Sequence, residues 1–116
     1  MNFEAMSENE ILDIAIPIMD NLMEASSRID HNAHVRDFTD RMKSIVTEEY
    51  LKNVCEKYQF EKGFFADRQP VAVFRRPDSA AIVWKQSFTK AKGEFVAEML
   101  LVYQDGKYLC DHAMVF

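Results

Sequence analysis

The chain has 116 residues, of which 48% are hydrophobic and 28% charged, with 3 Gly and 3 Pro. That composition excludes disorder, collagen-like repeats and low complexity, and the length predicts one domain over 1–116 with a core of its own. With 14 Lys and Arg against 19 Asp and Glu, the net charge is −5, the wrong sign for a protein that coats nucleic acid.

The N-terminal stretch Met1–Glu10 has neither the basic region nor the apolar region of a secretory leader. The apolar run Ile14–Met19 contains Pro17 and is far short of the roughly 20 residues a membrane span needs. No membrane partner is expected, and the expected location is cytoplasmic. Cys55 and Cys110 are isolated in sequence and read as two buried free thiols.

The first half has helical period. In Glu8–Ile29, Ile11, Ile14, Ala15, Ile18, Met19, Leu22, Ala25, Ser26 and Ile29 recur at i, i+3, i+4 and i+7. Ser7 and Glu10 form a capping box, while Pro17 predicts a kink or a late start. A second helix is expected from about Asn32 to Ile45, with Val35, Phe38, Met42 and Ile45 inward. Thr47-Glu48-Glu49 opens a third, carrying Leu51, Val54, Cys55 and Tyr58 and ending before Gly63.

Strand period follows. Phe64–Ala66 reads as a short first strand. Val71–Arg76 and Ala80–Phe88 flank a turn at Pro77-Asp78, and Phe95–Gln104 and Lys107–Phe116 flank Asp105-Gly106. Asp-Gly suits the two positive φ values of a type I′ hairpin. A two-residue loop sets Tyr103 opposite Tyr108, Leu101 opposite Cys110, Met99 opposite His112, Ala97 opposite Met114 and Phe95 opposite Phe116. Paired residues share a face, so His112 is expected to point inward among apolar neighbours. Val96, Leu100, Val102, Leu109 and Val115 fall on the other face. They are too apolar for water, which predicts a homodimer through that face. Helices first, then strands without alternation, predict an α+β fold with helices packed on a curved antiparallel sheet.

That element order, with Arg36-Asp37-Phe38 on the second helix and the hairpin Leu101-Val102-Tyr103-Gln104-Asp105-Gly106-Lys107-Tyr108, resembles the nuclear transport factor 2-like superfamily, which includes SnoaL-like proteins and ketosteroid isomerases. The resemblance implies a cone-shaped α+β fold, dimers through the outer sheet face and a pocket between sheet and helices. The strand or hairpin often found between the second and third helices is missing here. The Tyr and Asp constellation of the isomerases has no counterpart, so no catalytic role carries over.

Candidate chemistry is sparse. His31 and His34, with Asp30 and Asp37 near, read first as a solvated helix start and second as metal ligands; no metal and no cofactor are expected. Glu98 and Asp111 lie diagonally on the outer face, where paired carboxylates can do acid–base work or line an interface. Arg75, Arg76, Lys85, Lys90 and Lys92 form a basic edge. Ile82, Trp84, Gln86 and Phe88 share one face. Two functions remain. The first is a dimeric module that binds a protein partner or a small apolar ligand through Tyr58, Trp84, Gln86 and His112. The second is a small isomerase, dehydratase or hydrolase with His112 as acid or base. An open cavity of roughly 300 Å³ or more between helices and sheet would favour a pocket.

Overall fold

The computed structural model describes residues 1–116. After a 3₁₀ turn at Phe3–Ala5, helix α1 runs over Glu8–Arg28. Its start is the expected capping box: Glu10 N donates to Ser7 Oγ at 3.1 Å, and Ser7 N donates to Glu10 Oε1 at 3.0 Å. Pro17 lies inside α1 without ending it. One helical donor is lost there, while buried Ile11, Ala15, Ile18, Met19 and Leu22 keep the helix on the core.

The second helix differs from expectation. It is two short helices, α2 (His31–His34) and α3 (Asp40–Ile45), capped by the side chains of Asp30 and Thr39. Between them Phe38 forms a parallel bridge with Cys110. Cys110 N donates to Asp37 O at 2.7 Å and Thr39 N donates to Cys110 O at 3.0 Å. The sheet thus satisfies backbone groups that a continuous helix would have paired internally. Helix α4 (Glu48–Lys62) begins at the expected Thr47 cap and stops at Gly63.

Strands β1 (Phe65–Arg75), β2 (Ser79–Phe88), β3 (Phe95–Gln104) and β4 (Lys107–Val115) form one antiparallel sheet in sequence order. The two short strands expected at Phe64–Ala66 and Val71–Arg76 are one strand, with irregularities between Phe65 and Arg68 and between Pro70 and Ala72. Pro70 is accommodated because β1 is an edge. The inner face carries Ala80, Ile82, Trp84, Ala97, Met99, Leu101 and Cys110, packed into one core with α1. No helix is long and apolar enough to cross a membrane.

The final hairpin starts in the expected register. Asp105 (φ 53°) and Gly106 (φ 76°) both have positive φ, and Gln104 pairs with Lys107, Tyr103 with Tyr108 and Leu101 with Cys110. Beyond that point the register slips. Leu100 pairs with His112, Met99 with Ala113 and Ala97 with Val115. Asp111 is the extra residue of a β-bulge, and a one-residue slip exchanges the two faces of everything after it. Two expectations are corrected. His112 lies on the outer face with Leu100 and Glu98, not inward opposite Met99; and Val115, expected on the outer face, turns inward with Ala97.

The bulge is held from outside the sheet. Thr39 Oγ1 donates to Asp111 Oδ1 at 2.6 Å and Arg41 Nε donates to the same oxygen at 3.1 Å, while Arg41 also reaches the Asp111 carbonyl. Burial works against the Asp111 charge, but the Thr39 hydroxyl and the Arg41 guanidinium outweigh it and hold the carboxyl below its ordinary value. The diagonal Glu98–Asp111 pair therefore does not form, since each carboxylate has its own partner.

The glycines that end α4 and turn the last hairpin differ in what surrounds them. A Cβ on Gly63 (φ 85°) would come within 2.4 Å of Thr89 Oγ1 and 2.9 Å of Lys90 N, whereas one on Gly106 (φ 76°) would meet nothing within 4 Å. Gly106→Ala should therefore lose about 1 kcal/mol from backbone strain alone. Gly63→Ala should lose roughly 2–3 kcal/mol from strain plus the clash. Urea unfolding of the two variants checks the order; equal losses would show that the Thr89 contact does not matter.

Candidate functional site

Between the helices and the inner face lies a cavity of ≈ 350 Å³, with 17 of its 20 lining residues hydrophobic. That volume falls in the range of small-molecule sites. One wall comes from Met19, Leu22 and Met23 of α1, and another from Tyr50, Leu51, Val54, Tyr58 and Lys62 of α4. These α4 positions follow helical spacing and cover about 18 Å of helix at about 1.5 Å per residue. Phe38, Met42 and Val46 close one end. Phe65, Phe88 and Phe95 line the sheet side, with the end of β4. Tyr50, Val54, Met114 and Phe116 are the well-exposed apolar residues of this lining, so the mouth opens between α4 and the C-terminal end of β4.

The aromatic part of the wall is a connected cluster. Tyr58 lies 4.8 Å from Phe65 between ring centroids, Phe65 lies 5.2 Å from Phe88, and Phe88 meets Phe95 edge-on at 5.0 Å. The Lys62 ammonium sits 5.8 Å from the Phe95 ring centroid. The Tyr58 hydroxyl is 2.8 Å from Ser26 Oγ, which is 3.1 Å from Cys55 Sγ. Burial raises both the Tyr58 hydroxyl and the Cys55 thiol above their ordinary values, so at neutral pH this trio is an uncharged, internally bonded group.

His34 is different. It lines the cavity and is only 8% exposed. Its ring packs edge-on against Phe38 at 5.1 Å, and its Nδ1 is buried with no hydrogen-bond partner. Burial, with a smaller contribution from His31, lowers its pKa to about 4. It is a neutral imidazole at physiological pH.

The residues singled out in the sequence are scattered by the fold. Tyr58 lines the cavity, as expected. Trp84 is on the inner face but sealed, with the Arg68 guanidinium 5.7 Å from its ring centroid. Gln86 is fully buried, and its Nε2 donates to Ser87 O at 2.9 Å and Ala66 O at 3.2 Å. It serves the irregular part of β1. His112 is across the sheet, with Nε2 3.0 Å from Glu98 Oε1. Trp84, Gln86 and His112 are thus corrected as lining residues: none borders the cavity.

His31 Nε2 is 2.8 Å from Val46 O, and no group of three or more His, Cys, Asp and Glu side chains is arranged to hold a metal. Three of the five residues of the basic edge are spent locally, Arg75 on Met6 O, Lys85 on Glu94 and Lys90 on Phe60 O. His34 is read in the sequence as a solvated helix start or a metal ligand, and its place in the cavity lining is what that reading misses. Its signal was its place four residues before inward Phe38 on the expected helix.

The neutral buried imidazole has a consequence for stability. Between about pH 6.5 and pH 4 the unfolded chain takes up a proton at His34 that the folded chain refuses. Stability should therefore fall as pH drops through that window, by on the order of 2–4 kcal/mol at its lower end. His34→Phe should lack this part of the loss. Urea unfolding of both proteins from pH 7 to pH 4 reads it; parallel curves would show that the folded chain accepts the proton.

No protein-family model matches the chain, and no curated protein sequence does. Solved structures do match in shape. An NTF2-like protein of unknown function from Methylobacillus flagellatus KT superposes with a TM-score of 0.62 at 12% identity, over 99% of this chain and 97% of that one. An NTF-2 like protein of unknown function from Shewanella oneidensis MR-1 gives 0.52 at 13% identity, over 89% and 96%. A SEC-C motif containing protein from Rhodopseudomonas palustris gives 0.57 at 11% identity, over 89% of each chain. At such identities the likeness is one of fold, and the chain has the nuclear transport factor 2-like fold, helices laid over a single antiparallel sheet.

Proposed function

We propose that this protein is a dimeric binding module that takes a small apolar ligand between its helices and its sheet. The observation that carries the reading is the cavity of ≈ 350 Å³ with its apolar lining. Close packing normally leaves few voids larger than a water molecule. A void of this size, open to solvent on one side, is costly unless something fills it. The lining also fits adaptation to a guest, since Met19, Met23, Met42 and Met114 contribute to it and thioether side chains repack readily. The acid–base alternative finds less support, because His112 is paired with Glu98 away from the cavity. Two buried free thiols accord with a reducing, cytoplasmic setting.

Support for a second copy comes from the outer face. Val96, Leu100, Val102 and Leu109 remain there, and the slip in β4 exchanges Val115 for Met114 and Phe116. Phe74, Ala81 and Val83 extend the same face across β1 and β2. Phe74, Met114 and Phe116 are each more than half exposed in the single chain, an apolar surface that an identical face would cover by two-fold symmetry.

Two experiments test the reading. Wild-type protein should run as a dimer in light scattering at tens of micromolar, roughly where a micromolar interface is populated, and Leu100→Asp should run as a monomer. A monomeric wild type removes the dimer. For the cavity, N-phenylnaphthylamine should brighten on binding. Ala113→Leu should abolish that signal while costing less than the ~1–3 kcal/mol of ordinary overpacking, because the added carbons enter empty space. No brightening with wild type removes the ligand.

A further inference from the structure

The three histidines of this chain spend their nitrogens differently. His31 Nε2 is bonded to Val46 O and His112 Nε2 to Glu98 Oε1. His34 spends neither nitrogen on the protein, although it is the most deeply buried of the three. A buried polar group without a partner is costly, and in a binding cavity the missing partner is what a ligand supplies. Among the polar side chains lining the cavity, Ser26 and Tyr58 bond one another and Lys62 is partly exposed. His34 is the one that is buried and unbonded.

The ring also says which kind of partner. Nδ1 is sealed from solvent with nothing to receive a proton, and proteins orphan buried donors more rarely than buried acceptors. An unpartnered Nδ1 costs less as an acceptor than as a donor, which favours the Nε2–H tautomer, and in that form the ring offers a donor. An apolar wall beside a neutral imidazole leaves a carboxylate's desolvation unmet, whereas an uncharged oxygen loses little on entering. We propose that His34 is the recognition group of the cavity, its Nε2–H donating to the hydroxyl or carbonyl oxygen of an uncharged amphiphile. The ligand's alkyl body lies along the roughly 18 Å of α4 from Tyr50 to Lys62. The class is that of medium-chain alcohols, ketones and esters. This rests on the apolar-ligand reading of the same cavity.

The methionines make the test direct. The methyl groups of Met19, Met23, Met42 and Met114 report occupancy of the cavity, and Met99, buried on the inner face but outside the lining, serves as reference. Methyl resonances of methionine-labelled protein would be followed during titration with decanol, decane and decanoate. Wild type should bind decanol about tenfold more tightly than decane, the worth of one added hydrogen bond, and more tightly than decanoate. His34→Phe should erase the roughly tenfold preference for decanol over decane. Imidazole nitrogen shifts in wild type should show the proton on Nε2, a readout that does not depend on the variant folding.

Equal binding of decanol and decane to wild type would overturn the role of His34 and leave the apolar cavity standing. So would a proton on Nδ1. Decanoate binding most tightly would move recognition to a cation such as Lys62. If none of the three probes shifts the methionines, the apolar-ligand reading itself fails, and the inference with it.

Discussion

The arrangement of this molecule depends on a carboxylate held in the wrong place for a regular strand. Asp111 has no partner on β3, and Thr39 and Arg41 take its place with three hydrogen bonds. Those bonds tie α3 to the edge strand. They also fix the segment at Phe38, whose neighbours Asp37 and Thr39 exchange backbone bonds with Cys110. Phe38 is thereby pressed inward against His34, and one end of the cavity is made. The same extra residue turns Ala113 and Val115 toward the cavity and His112 away from it, and leaves Met114 at the mouth. Pocket and outer face are thus set by one irregularity.

Local chemistry was legible where it is decided locally. Ser7 and Glu10 are three residues apart and need nothing else to form their box. Asp105-Gly106 carries its own conformational demand, and the first pairs of the hairpin follow. The alternation of Ile82, Trp84, Gln86 and Phe88 marks the inner face correctly. What stayed hidden depends on contacts distant in sequence. The bulge needs Thr39, 72 positions before Asp111, and Cys110-Asp111-His112 alternates well enough to hide it. The break between α2 and α3 has the same cause, because the pull on Phe38 comes from β4. Tyr58 was found as a pocket residue because its inward face is a matter of helical period; Trp84 and Gln86 share a sheet face with the pocket but lie beneath packed neighbours, a difference that period alone does not carry.

The cavity combines two kinds of surface. One is an aromatic wall, Tyr58 with Phe65, Phe88 and Phe95, whose rings meet at 4.8–5.2 Å and hold each other's orientation. The other is thioether and aliphatic, from α1, α3 and the end of β4, and can change shape at small cost. In the proposed binding role, a stiff wall facing a compliant one would give selectivity for the outline of a ligand on one side and tolerance on the other. The Ser26–Tyr58–Cys55 trio adds no charge to this space, and the buried polar atom of the lining left without a partner is at His34.

The two edges of the sheet have a bearing on assembly. β1 carries Pro70 and two breaks in its pairing, features that blunt an edge against further strands. On the other side the middle of β4 is already occupied by the Phe38 bridge and its flanking backbone bonds. Neither border offers an unbroken row of free amides and carbonyls. Growth by adding strands, the route by which sheets run into ribbons and fibres, is interrupted at both ends. Contact between sheet faces, the mode proposed for this chain, would instead close after two copies.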